Sequence, residues 1–246
     1  MNTWKQRLYD GYISTGQAAS SFKQETHLAP KHFPYYQNLI KTHLPKRKDI
    51  SIVDLACGHG ALIYCLQQSG FQNVNGVDIS PEQIALAHDL GIYSATCHDI
   101  GSFLSEHTKA FDVIFLMDIL EHLEKGELLG LLDQVSEALR TGGTVIIHVP
   151  NAEGLFGMRI RYGDLTHENC FTARSIDQAL SACGFHHVKC FEDKPIIHGA
   201  RSFVRNVLWK LLTAAPRLLL TVETGLTHHI LSQNMLVIAQ KKAAKK

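Results

Sequence analysis

The chain has no C-x-x-C pair, no block of charge of one sign and no apolar run long enough to cross a bilayer. Its six cysteines stand singly, at Cys57, Cys65, Cys97, Cys170, Cys183 and Cys190. That argues against a metal knuckle, and several of them fall in core-patterned segments, where cysteine acts as a small apolar residue. The 24 lysines and arginines nearly balance the 23 acids, for a formal net charge of +1, so nothing points to nucleic acid as the main partner. Nor is there a basic arm interleaved with aromatics, the footprint a tRNA or rRNA substrate would leave. Pro216 and nearby charges interrupt the most apolar late stretch, which excludes a transmembrane helix there. The polar, mixed segment Met1–Gln24 lacks the pattern of a signal peptide, so a reducing cytoplasm is the expected setting. The 246 residues are enough for one domain with a full core, or one domain with a sizeable insertion.

What is present centres on Ile52-Val53-Asp54-Leu55-Ala56-Cys57-Gly58-His59-Gly60. An apolar run ends in an acid, then a small-residue turn, then a helical pattern from Ala61 to Leu66. This predicts a buried strand, a tight loop and a helix, with Gly58 and Gly60 letting the backbone turn and approach a ligand. Asp54 falls at the strand end, where open α/β sheets bind ligands. Asp78 follows a second short strand about twenty residues on, where an acid can accept hydrogen bonds from both hydroxyls of a ribose. A nucleoside-containing cofactor is therefore expected. A nicotinamide dinucleotide is disfavoured, because the third glycine of G-x-G-x-x-G is missing and a carboxylate beside a pyrophosphate is repulsive. The same carboxylate attracts an ammonium group, and S-adenosylmethionine joins adenosine to an amino acid.

Five segments in order then resemble the motifs of class I S-adenosylmethionine-dependent methyltransferases. Val53 to Gly60 is similar to the first motif, with Ala56 where many members have glycine. Gly76-Val77-Asp78-Ile79-Ser80 is similar to the second, in which the acid, here Asp78, binds the ribose. Cys97-His98-Asp99-Ile100 is similar to the third, in which the acid meets the adenine amino group. Phe111 to Asp118 with Ile119-Leu120-Glu121-His122-Leu123 is similar to the fourth, and Arg140 to Ile147 to the turn into strand five. The resemblance covers about Ile50 to Asn151. It implies an S-adenosylmethionine site made by Asp54, Ala56, Gly58, Gly60, Asp78, Ile79, Asp99, Ile100 and Met117. It also implies a doubly wound α/β fold. A seven-stranded, mostly parallel sheet carries helices on both faces, with the last strand antiparallel and a helical insertion before it.

The alternation of patterns along the chain agrees with a parallel sheet. Strands are expected near 50–56, 74–77, 94–97, 111–116, 144–149, 185–191 and 235–239. Helices are expected near 61–69, 81–90, 125–140 and 175–183, the third stopped by Gly142-Gly143. Ser80 before Pro81 is a helix start. Residues 1–48, with Tyr9, Tyr12, Tyr35 and Tyr36, form an expected helical cover over the cofactor. Residues 49–195 and 234–241 form the core, and 196–233 a helical insertion, or lid.

Candidate chemistry lies beyond strands four and five. Asp118, Glu121 and His122 have the spacing of one helical face. They resemble a cluster that binds a divalent metal in some small-molecule O-methyltransferases, but no metal site is expected, since such groups are common at helix starts. His122 and His167 are the two candidate general bases, and His148 is expected to be a pocket wall. The polar stretch Asn151 to Asn169 suits a sugar, glycan or other small polar acceptor, and O-methylation of one is the expected reaction. O-methylation of a quinone or lipid precursor is the second reading; a nicotinamide-dependent oxidoreductase and a silent cofactor-binding module are the others. The insertion carries Phe203, Val207, Leu208 and Leu211 at helical spacing with Arg201, Arg205, Lys210 and Arg217 interspersed. It reads either as a lid packed on the core or as a basic amphipathic surface over 201–220. The latter would make peripheral contact with the inner face of a membrane.

Overall fold

The computed structural model describes residues 33–242. Seven strands form one sheet: β1 (Ser51–Leu55), β2 (Asn73–Asp78), β3 (Ala95–Cys97), β4 (Phe111–Met117), β5 (Leu139–Pro150), β6 (Phe185–Glu192) and β7 (Asn234–Lys241). Their order is β3-β2-β1-β4-β5-β7-β6. The pairs β2–β3, β1–β2, β1–β4 and β4–β5 are parallel, whereas β7 runs antiparallel to β5 and β6. Chain direction reverses sideways from β1, towards β3 on one flank and β4 on the other. That is the switch point at which such sheets bind ligands beyond their carboxyl ends.

Among the described residues, eight α-helices accompany the strands: α1 (Phe33–His43), α2 (Ala61–Gln68), α3 (Pro81–Asp89), α4 (Ile100–Ser105), α5 (Lys125–Ala138), α6 (Gly157–Arg161), α7 (Ala173–Ala182) and α8 (Ala200–Thr224). The central strands are buried on both faces, as hydrophobic runs in a parallel sheet should be. One face packs Leu128, Leu132, Val135 and Ile176 against Ile114, Leu116 and Val145. The other packs Leu39 and Ile40 of α1, with Leu62, Ile63 and Leu66 of α2, against Ile52 and Phe115. The described part of the expected N-terminal cover is thus core structure; Tyr9 and Tyr12 lie outside the described residues.

Local signals act where they stand. Ser80 accepts the Gln83 N–H and Pro81 opens α3, which satisfies donors that a helix start leaves over. One punctuation signal works differently. The helix expected to run to Arg140 ends at Ala138, and Gly142-Gly143 lie inside β5. Leu139 pairs with Phe111 and Thr144 with Val113, so β5 bulges between them. A Cβ at Gly143 would lie 2.9 Å from the Arg140 carbonyl oxygen. The glycines therefore permit a bulge rather than stop a helix.

The insertion also departs from the lid reading. The buried side chains of α8 are Ser202, Asn206 and Thr213, all polar. Phe203, Val207, Leu208 and Leu211, the stripe expected to be buried, are exposed.

Candidate active site

The loop after β1 folds tightly onto β2. Ala56, Gly58 and Gly60 all have positive φ, at 60°, 53° and 84°. For Ala56 this is a strained conformation that costs about 1 kcal/mol. The Cys57 N–H donates to the Val77 carbonyl at 3.0 Å, and the Gly58 N–H donates to Asp78 Oδ2 at 2.8 Å. Asp78 Oδ1 accepts from the Ser80 N–H at 2.9 Å. Asp78 thus ties the glycine loop to the mouth of β2, and each oxygen retains acceptor capacity for a further donor. Asp99 sits exposed on the rim and caps α4, with Oδ2 accepting from the Ser102 N–H at 2.9 Å. That bond, ahead of the smaller effects around it, lowers the Asp99 pKa. Ile79 is exposed beside Asp78, and Ile100 and Met117 are half-buried.

Asp54 is 3% exposed, and its Oδ1 has no hydrogen-bond partner. Burial, with a further push from Asp78, raises its pKa to about 8. A buried carboxylate without a partner is costly. This one borders a loop of three left-handed residues and a carboxylate with spare acceptor sites. An ammonium group and a ribose diol would complete both, so this edge fits S-adenosylmethionine.

A second charged cluster lies beyond β4 and β5. The strand register sets Met117 opposite His148. Asp118, at φ 55°, turns the chain sharply away, and only a single 3₁₀ turn, Leu120–His122, follows. Asp118, Glu121 and His122 therefore do not share the helical face expected from their spacing. Instead, Asp118 Oδ1 lies 2.6 Å from His148 Nδ1, and Asp193 Oδ2 lies 3.4 Å from His148 Nε2. Burial alone would lower the His148 pKa, but the two carboxylates outweigh it and raise it to about 10. The two carboxylates thus favour the charged form of the buried His148 ring. The protein packed around Asp118 pushes its carboxyl up, but the His148 charge more than offsets this and holds it low. Its side chain keeps 57% of its surface open, so solvent screening weakens the pair. The Tyr35 ring of α1 stands edge-on to His148, 5.7 Å between centroids.

The two candidate bases meet. His122 and His167 have ring centroids 4.6 Å apart, nearly perpendicular. The Thr166 hydroxyl donates to Asp164 Oδ1 at 2.6 Å, so at 2.9 Å from His122 Nδ1 it is an acceptor. A neutral His122 that donates from Nδ1 to this hydroxyl has Nε2 as its basic nitrogen. His167 Nδ1 donates to the Ile160 carbonyl at 2.9 Å, which assigns its basic nitrogen in the same way. Burial, and then His167, lower the His122 pKa to about 4. Beneath them Glu121 is buried, its Oε2 has no partner, and burial followed by Asp118 raises its pKa to about 8. Glu121, His122 and His167 each offer one ligand atom, all within 4.8 Å of one another, an arrangement able to hold a metal ion.

A cavity of about 380 Å³ opens beside Tyr35, lined by His43, Asp193, Lys194, Asn206 and Lys210 among others. Tyr35 and Asp193 connect it to His148 and so to the end of β4. Asp193 and Thr166 carried no signal in the sequence. Asp193 reaches His148 only because β7 inserts between β5 and β6, and Thr166 acts through a histidine 44 positions away.

A family model described as a methyltransferase domain matches residues 28–189. A tRNA U34 carboxymethyltransferase of Shewanella baltica is 26% identical over 167 residues, 62% of this chain and 49% of that protein. The mitochondrial ubiquinone biosynthesis O-methyltransferase of Saccharomyces cerevisiae is 30% identical over 93 residues, 36% of this chain and 30% of that one. The chain thus spans about half the length of the first of these relatives, and less of the second. Among solved structures, a SAM-dependent methyltransferase from Archaeoglobus fulgidus superposes with a TM-score of 0.63 at 21% identity. That superposition covers 85% of this chain and 94% of that one, and the likeness is one of fold.

Proposed function

Since the chain belongs to the methyltransferase-domain family and has the fold of its S-adenosylmethionine-dependent members, we propose that it transfers a methyl group from that cofactor to a hydroxyl of a sugar, glycan or other small polar acceptor. The observation that carries the cofactor assignment is the buried, partnerless Asp54 oxygen beside the loop that Asp78 ties down. Asp54 would take the ammonium group and Asp78 the ribose hydroxyls. Ala56, Gly58 and Gly60 would line the loop, with Ile79, Asp99, Ile100 and Met117 around the rest. When bound, S-adenosylmethionine supplies an electrophilic methyl group on a sulfonium.

The chain's own contribution is alignment, exclusion of water and a place for the acceptor proton. His122 or His167 takes that proton on Nε2. With a pKa near 4, His122 is neutral at pH 7 and able to accept, and Asp118 and Asp164 favour the charged ring that results. The cavity beside Tyr35 has a mixed lining, in which Asp193, Lys194, Asn206 and Lys210 offer hydrogen bonds to a polar acceptor among apolar side chains such as Phe191 and Ile196. The relatives do not agree on one, since one is a tRNA U34 carboxymethyltransferase and another an O-methyltransferase of ubiquinone biosynthesis. The near-neutral charge of the chain speaks for a small molecule rather than nucleic acid. A quinone or lipid precursor is the second acceptor reading, favoured by the exposed apolar face of α8.

Turnover of methyl-labelled cofactor with polar and with prenylated acceptor fractions is the test. Labelling of a polar acceptor supports the first reading and labelling of a prenylated one the second. Cofactor binding without any turnover would leave a silent binding module. The convergence of Glu121, His122 and His167 also admits a divalent cation. Turnover that survives dialysis against EDTA supports the proton-accepting role, whereas loss restored by Mg²⁺ or Mn²⁺ supports the metal.

A further inference from the structure

Helix α8 is mounted with its polar side inward. Ser202 Oγ accepts the His198 N–H at 2.8 Å and donates to the Gly199 carbonyl at 2.8 Å. Asn206 Nδ2 donates to the Pro195 carbonyl at 2.7 Å. Arg217 pairs with Glu192 and also donates to the His229 carbonyl. These bonds fasten the helix to the connectors around β6 and β7.

At 100° per residue, the opposite side is a broad apolar arc. Val204, Leu208, Leu211, Leu218, Leu219 and Val222 lie on it, and Leu211, Leu212 and Val222 are 66%, 73% and 77% exposed. No helix among the described residues is long and apolar enough to cross a membrane. Basic side chains border it, Arg201 and Arg205 on one edge and Lys210 towards the other, while Arg217 is held inward by Glu192; Glu223 is the single acid of the helix. A second copy of the same helix would bring like charges together at the flanking positions, where paired helices place opposite ones. The arc is also about half the circumference, wider than a two-helix seam.

We infer that α8 lies in the surface of an anionic bilayer, its apolar arc in the acyl boundary and Arg201, Arg205 and Lys210 at the phosphates. Lys210 and Asn206 also line the cavity beside Tyr35, so that cavity adjoins the helix.

The test is sedimentation of the full chain with vesicles of phosphatidylcholine alone and of phosphatidylcholine mixed with phosphatidylglycerol. Capture by the anionic vesicles at low salt is expected, with weakening at high salt. Exchange of Arg201→Gln and Arg205→Gln should lower the partition coefficient about fivefold per residue. Leu211→Glu with Leu212→Glu should abolish capture while cofactor affinity and circular dichroism stay normal. No capture at low salt overturns the inference, as does capture that persists in the Leu211→Glu, Leu212→Glu variant. A dimer in sedimentation velocity that this variant dissociates, without vesicle capture, would overturn it in favour of a second copy.

Discussion

Exchange of Asp54→Asn should stabilise the protein and weaken cofactor binding at once. The native carboxyl is 3% exposed, with one oxygen partnerless, and its pKa is raised from 3.8 to about 8. Because the folded value lies above the unfolded one, Asp54 favours folding only at low pH. That contribution is fully present below about 3.8 and lost as pH rises through about 8. At pH 7 the unfolded chain holds this group ionised and the folded chain holds it protonated. The cost of that difference is at most about 4 kcal/mol, and relaxation brings it towards about 2 kcal/mol. Asparagine has the same shape and no charge, so the variant should melt roughly 4–8 °C higher at pH 7 in a chain of this size. The gain should shrink towards zero at pH 4. Cofactor affinity should move the other way, by about 2–3 kcal/mol, or roughly 30–150-fold. Calorimetry adds an independent readout. An arriving ammonium group should ionise Asp54 at pH 7, so binding should release about one proton in the native chain and none in the variant. The released proton appears as a binding heat that depends on the buffer's ionisation enthalpy. Unchanged affinity with no buffer dependence would refute the ammonium contact, and a lower melting temperature at pH 7 would refute the energetic reasoning.

His148→Gln should remove a stabilising charge. With its pKa raised from 6.5 to about 10, His148 contributes fully below about 6.5 and loses that contribution as pH rises through about 10. The native advantage should be about 1–2 kcal/mol at pH 6, after discounting for the exposure of Asp118, and should vanish by pH 10 in urea titrations. Gly76→Ala places a Cβ 2.2 Å from Ile63 Cδ1 and 2.8 Å from Cys57 Sγ. Ile63 is fully buried and cannot swing away, so urea unfolding should show a loss of about 1–3 kcal/mol. Replacing whichever of His122 and His167 takes the acceptor proton by Ala should lower turnover about 10²–10⁴-fold with cofactor affinity near normal. Full turnover in both single variants and the double variant would assign catalysis to alignment alone.

The glycine loop, the strand ends that carry Asp54 and Asp78, and the cap of α3 were legible in the sequence because each rests on local chemistry. Positive φ at Gly58 and Gly60, an alternation of apolar runs and a serine before a proline act within a few residues of themselves. The seven-stranded order was legible only through the resemblance of whole motifs. The two glycines at 142 and 143 were misread because a helix stop and a strand bulge need the same backbone freedom, and only pairing with Phe111 and Val113 distinguishes them. The Asp118–His148–Asp193 cluster joins residues 30 and 45 positions apart, so it exists only once β5 lies beside β4 and β7 separates β5 from β6. Amphipathic spacing announced α8 as a helix with two unlike faces. Which face turned inward was decided by hydrogen bonds from Asn206 and Arg217 to connectors whose positions the helix's own sequence does not encode.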